Sequence, residues 1–149
     1  MIEFFVDCSN PWTYLAFHNI QPLAEEFGQE ITWRPILVGG IFNTINPSVY
    51  ASRENPVPAK LAYANKDMAD WARQAGIAIK RAGVDAQKLL AGIAQQSIKD
   101  QLKANTDELM ARGGFGSPTI FVDKTDMYFG NDRLSLVRDA LARRKERAD

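Results

Sequence analysis

The chain has 149 residues, 46% of them hydrophobic and 24% charged, which is enough apolar material for one globular domain and too little length for a second. Eighteen basic residues balance eighteen acidic ones, so the broad cationic surface that nucleic acid or an anionic membrane demands is missing, and an acidic ligand has to be held locally. One cysteine, Cys8, and one histidine, His18, exclude an intramolecular disulfide, a CxxC redox or zinc pair, and histidine-rich metal sites.

Ile2 to Val6 is a short apolar run bounded by the turn-prone Asp7-Cys8-Ser9-Asn10-Pro11 and reads as a buried strand. This opening lacks the basic leader and cleavage site of a secretory signal, and no apolar run reaches membrane-spanning length, so the expected compartment is the cytoplasm. From Pro11 or Trp12, the residues Leu15, Ile20, Leu23 and Phe27 fall at helical spacing, with Ser9 or Asn10 able to cap and Gly28 to stop the helix. Ile31 to Leu37 alternates and favours branched and aromatic side chains, a second strand with Pro35 near its end or on an edge.

Gly39 to Pro58, rich in Gly, Asn, Pro and Ser, reads as a long loop, and loops of that length inside compact domains are usually functional. Lys60 to Ile79 is helical, with Leu61, Ala64, Met68, Trp71 and Ala75 as an apolar stripe. Asp85 to Met110 reads as one or two further helices carrying Leu89, Leu90, Ile93, Ile98 and Leu102, broken near Gln95-Gln96-Ser97. After Gly113-Gly114-Phe115-Gly116, a strand from Ser117 to Asp123 enters through Pro118 and pairs with Met127-Tyr128-Phe129. A last helix begins near Asn131 or Asp132 and ends in a basic tail that suits a solvated helix terminus. The order βαβ, helices, ββα is that of an α/β, thioredoxin-like fold. Its core is 1–38 and 113–149, and a loop and helical insertion at 39–112 separates the second strand from the third.

Three boundary segments carry the chemistry. Ser9 to Thr13 turns the first strand into the first helix, where unpaired N–H groups and the helix dipole favour a thiolate. An oxidoreductase of this fold carries its CxxC there; Asn10-Pro11-Trp12-Thr13 stands instead, so the thiol must come from outside. Ser9 and Asn10 also suit a purely capping role, and Cys8 suits an inert filler at the strand's end. Gly116-Ser117-Pro118-Thr119 offers either a cis Ser117–Pro118 bond, which frees the N–H and C=O of Ser117 for a bound peptide, or a trans proline on a strand edge. Gly130-Asn131-Asp132-Arg133 supplies an N-cap, a carboxylate for a ligand ammonium, and free N–H groups for a ligand carboxylate.

Together these segments resemble the kappa-class glutathione transferases and bacterial 2-hydroxychromene-2-carboxylate isomerases, which share a DsbA-like thioredoxin fold. The matching residues are Asp7, Pro11 and Trp12; Gly113, Gly116 and Pro118; and Gly130 to Arg133, with Arg34-Pro35, Gly40-Ile41, Lys60, Tyr63, Asp67 and Trp71 in support. The resemblance implies glutathione as cofactor, a small aromatic or electrophilic substrate, and a homodimer; no nucleic-acid, membrane or metal partner is expected from the balanced charge and the single cysteine and histidine. It implies that Pro11, Trp12 and Pro118 help bind glutathione, that Ser117 pairs with its cysteinyl backbone, and that Asn131 and Asp132 hold its γ-glutamyl end. Asn46 and Lys60 would lie nearby, Lys60 drawing the glycyl carboxylate or an acidic substrate, or else only opening a solvated helix.

Two departures stand out. The family serine that donates to the glutathione thiolate is matched by Asn10, whose amide can still donate, with Ser9 or Thr13 as substitutes, and the helical insertion is shorter than the family's. The resulting expectation is a glutathione-dependent isomerase or transferase with Asn10 and Ser9 as catalytic donors. The alternative is a non-catalytic glutathione- or peptide-binding or assembly module, while thiol–disulfide exchange through Cys8 alone lacks a partner thiol.

Overall fold

The computed structural model describes residues 1–77 and 95–148. Strand β1 (Ile2–Val6) pairs in parallel with β2 (Ile31–Pro35) and antiparallel with β3 (Thr119–Val122), and β3 pairs with β4 (Asp126–Phe129), giving the order β2-β1-β3-β4. Ile2 sits opposite both Ile31 and Val122. The two central strands are covered on both faces, which is why their sequences run almost continuously apolar instead of alternating. Pro35 ends β2, an edge strand, where its missing N–H interrupts no ladder.

One sheet face, Ile2, Phe4, Ile120 and Val122, packs under Ala16, Ile20, Leu23 and Ala24 of α1 (Pro11–Glu26). The same face meets Val137, Ala140 and Leu141 of the last helix, α6 (Leu134–Ala148). On the other face, Phe5 and Phe121 meet Ile36, Ile41 of α2 (Val38–Thr44) and Leu109 of α5 (Gln96–Ala111). Glu3 shares that second face and is buried. Its carboxylate is held by Arg34 at 3.1 Å and Arg112 at 2.8 Å, and the Arg112 guanidinium lies 3.8 Å from the centre of the Phe121 ring. Burial pushes the Glu3 carboxyl up, but the hydrogen bonds and charges of Arg112 and Arg34 outweigh it and hold the group below the ordinary glutamate range.

The segment expected as a loop from Gly39 to Pro58 is instead two short helices, α2 and α3 (Ser48–Glu54). Burial of Val38, Ile41 and Phe42 overrides the poor helix propensity of Gly39 and Gly40, and the Asn-Pro pairs mark the breaks between helices. Helix α4 (Pro58–Gln74) forms where expected, but its apolar stripe is not core: Leu61 and Ala64 are exposed, Met68, Trp71 and Ala75 half-buried, and only Ala72 is buried. Helix α5 begins at the break anticipated near Gln96, while the helix expected around Leu89, Leu90 and Ile93 lies outside the described residues.

The chain therefore has the βαβ…ββα order of a thioredoxin-like fold with helices inserted between β2 and β3. A 3-10 turn, Asn131–Arg133, precedes α6, and its cap is Gly130 at φ 102° rather than Asn131 or Asp132. Among the described residues no helix is long and apolar enough to cross a membrane.

Candidate functional site

Strand β1 delivers Asp7 to the start of α1, and Asp7 organises the turn. Its carboxylate accepts the N–H of Ser9 at 2.8 Å, the Ser9 hydroxyl at 2.5 Å and the N–H of Val38 at 2.8 Å, tying the openings of α1 and α2 together. The Asp7 N–H donates to Ser117 Oγ at 3.0 Å, and Ser117 Oγ lies 2.9 Å from Thr13 Oγ1, so three buried polar residues satisfy one another.

Asn10 is the N-cap of α1. Its Oδ1 accepts the Trp12 N–H at 3.0 Å, and its backbone carbonyl accepts the N–H groups of Thr13 at 3.0 Å and Tyr14 at 3.3 Å. The opening N–H groups expected to be free are thus occupied, and what the helix end still presents is its dipole. Asn10 Nδ2 donates one hydrogen to Ser117 O at 2.6 Å, so that carbonyl, expected to be free, is already shared. The second amide hydrogen of Asn10 is not used by that bond.

The Ser117–Pro118 peptide is cis, and the Pro118 carbonyl accepts the Gly130 N–H at 3.1 Å, joining the entrance of β3 to the end of β4. Gly130 is required there, because a Cβ would stand 2.6 Å from Asp132 Oδ1 in a left-handed backbone region. Gly116 plays a similar part beneath Phe129, whose ring a Cβ would meet at 2.8 Å.

These turns surround a cavity of about 470 Å³ lined by Asn10, Trp12, Ser117, Pro118, Asn131 and Asp132, with Asp67, Trp71, Phe129 and Gly130 completing its wall. Asn131 is 4% exposed, and its Oδ1 accepts Asn19 Nδ2 at 3.0 Å. Its Nδ2 has no hydrogen-bond partner. A buried amide donor left unpaired costs about 1–3 kcal/mol. Asp132 is exposed and paired with Arg133, while Asp67 is half-buried with no partner among the described residues.

The structure thus brings Asn10, Trp12, Ser117, Pro118, Asn131 and Asp132 to one cavity. Pro11 is exposed in the first turn of α1 and lines no described cavity. Ser9 and the exposed Cys8 line a different cavity of about 490 Å³, with Tyr50 and Arg53, so Cys8 is not the apolar filler expected. Asn46 receives Ser48 Oγ at 3.0 Å ahead of α3, Lys60 is exposed on α4, and neither is in the wall of the first cavity. Sequence reasoning did not place Asp67, Trp71 or Phe129 in the wall; the first two carried a signal, their i, i+4 spacing on one helix.

Among the described residues no group of histidine, cysteine and acidic side chains could hold a metal ion. No curated protein matches the chain. A solved 2-hydroxychromene-2-carboxylate isomerase superposes with a TM-score of 0.75 at 19% identity, over 99% of this chain and 97% of that one. A probable DsbA oxidoreductase from Streptomyces coelicolor superposes with a TM-score of 0.71 at 14% identity, over 95% of this chain and 88% of that one. The model of the DSBA-like thioredoxin domain matches residues 1–81 and 78–142. With the cis proline facing the first helix and the helices inserted after β2, the chain belongs to the DSBA-like thioredoxin domain family.

Proposed function

We propose that the chain binds glutathione in the cavity between α1 and Pro118 and applies its thiolate to an electrophilic aromatic substrate, as an isomerase of 2-hydroxychromene-2-carboxylate type or a kappa-like transferase. The observation that carries this reading is a cleft at the amino end of α1, closed by Pro118 and rich in hydrogen-bond groups, in which the chain supplies no sulfur. Cys8 opens onto another cavity. In this reading the glutathione sulfur sits over the α1 dipole and takes the second amide hydrogen of Asn10. The Ser117 backbone pairs with the cysteinyl residue. The unpaired Asn131 Nδ2 donates to the γ-glutamyl carboxylate, and Asp132 receives the ammonium.

The thiolate attacks the β-carbon of a conjugated double bond; a C–S bond forms as the π pair moves onto the carbonyl oxygen. The former double bond is then single and rotates. Expulsion of the thiolate restores the double bond in its other geometry and regenerates glutathione, which makes the protein an isomerase. Protonation of the α-carbon instead leaves the thioether as product, which makes it a transferase.

One observation favours a second reading, a glutathione- or peptide-binding module without catalysis: both polar atoms of the Asn10 side chain already serve structural bonds. Calorimetric titration with glutathione, followed by assays of thioether formation and of double-bond isomerisation, separates the two. Binding with turnover supports the enzyme, and binding without turnover that Asn10→Ser restores supports the module. No heat and no turnover at millimolar glutathione removes the enzyme and leaves of the module only peptide binding.

A further inference from the structure

The cavity beside Pro118 does not end at Trp71. A second cavity of about 630 Å³, lined by Asp67, Asp70, Trp71, Arg73 and Gln74, shares Asp67 and Trp71 with the first, so one groove runs from the amino end of α1 along α4. Its wall combines the rings of Trp12, Trp71 and Phe129 with carboxylates. The one basic side chain in the described walls of the two cavities, Arg73, pairs with Asp70, as does Lys66 beside it, and Arg133 pairs with Asp132. Asp67, on the shared wall, is the charged group there with no partner among the described residues.

We infer that Asp67 and Trp71 form a charge-selecting subsite that accepts a neutral or cationic aromatic group and rejects an aromatic carboxylate. An indole face attracts a cation and stacks on a neutral ring, and a half-buried carboxylate beside it reinforces the first and repels an anion. An aromatic carboxylate needs an arginine or lysine to receive it, and in the described wall the one such residue, Arg73, is held by Asp70 at 2.8 Å. That this group belongs to the second reactant rests on the glutathione reading, and within it the subsite favours the transferase on a neutral or cationic electrophile over the isomerase of a carboxylate substrate. The charge preference itself rests only on the groove.

The test uses three enones on one scaffold, benzylideneacetones carrying a 4-tert-butyl, a 4-trimethylammonio or a 4-carboxylate group, the first two isosteric. Their binding to the whole protein is followed by quenching of tryptophan fluorescence without glutathione, and their turnover is followed with it. The cationic compound is expected to bind about tenfold or more tightly than the carboxylate, with the neutral one between. The isosteric Asp67→Asn is expected to shrink that ratio at least several-fold while leaving the neutral compound's affinity in place. Equal or tighter binding of the carboxylate, or a ratio unmoved by Asp67→Asn, overturns the inference. Charge-ordered binding without turnover of any compound would support the subsite while counting against glutathione-dependent catalysis.

Discussion

Replacing Asn10 separates the two structural jobs its side chain performs. In Asn10→Ala the α1 cap to the Trp12 N–H is lost, a change worth about 1 kcal/mol. The 2.6 Å bond to the Ser117 carbonyl is lost as well, removing a further ~1–2 kcal/mol for a part-buried acceptor without its donor. The sum is about 2–3 kcal/mol, or roughly a 4–12 °C fall in melting temperature for a domain of this size. Asn10→Ser keeps a capping oxygen but cannot span to Ser117, so its loss is about 1–2 kcal/mol. Asn10→Asp keeps the cap, improves the charge at the helix end, and turns a carboxylate oxygen toward the Ser117 carbonyl. Its deficit is therefore expected to grow as the pH rises through the carboxyl range. Urea denaturation of the four proteins between pH 4 and 8 reads these differences as midpoint shifts at constant slope. Losses below about 0.5 kcal/mol for both Ala and Ser, or an Asp variant whose deficit ignores pH, would refute the bridging role.

Asn131→Asp keeps the acceptor for Asn19 but replaces the unpaired donor with an oxygen, so glutathione affinity measured by calorimetry is expected to fall about tenfold or more. Gly130→Ala places a Cβ against Asp132 at φ 102° and is expected to lower stability by about 1–3 kcal/mol in urea, with weaker glutathione binding because Asp132 has to move. Glu3 is held below its ordinary value, about 4.3 when unfolded, so its contribution is fully present above that pH and is lost as the pH falls through the lower, folded value. Glu3→Gln leaves two arginines without their buried carboxylate at neutral pH, and its deficit relative to the parent protein is expected to narrow in acid, read from urea midpoints between pH 7 and 3.

The sheet was legible because β1 and β3 are apolar on both faces, and such runs bounded by turn residues have few other readings. Helices α2 and α3 were hidden by glycines and asparagines whose local preference runs the other way. Helix α2 forms where Ile41 reaches the second face of the sheet, a contact made across distance in the chain, and α3 sets Tyr50 edge-on against Phe42 of α2. The turns of the site were visible as residue types, but their division of labour was not. Asn131 reads as a cap from residue type and as a ligand contact from the resemblance; the structure gives the cap to Gly130 and buries the Asn131 amide beside the cavity. The stripe on α4 looked like core because periodicity reports a face and not what covers it, and that face instead supplies Asp67 and Trp71 to the groove.

The residue at the amino end of α1 is also where structure and chemistry compete for the same hydrogens. A serine hydroxyl has one hydrogen: given to a ligand sulfur, it is unavailable to the Ser117 carbonyl. The Asn10 amide has two, one already on Ser117, so it can brace the cis-proline loop and still face the cavity. A ligand sulfur at that position then meets a weaker donor on a more firmly held turn. Stability and thiolate activation should consequently move in opposite directions in Asn10→Ser. The bracing bond is lost while the hydroxyl is freed for the ligand, and a glutathione pKa that falls on binding more in the serine variant than in the parent would show the exchange directly.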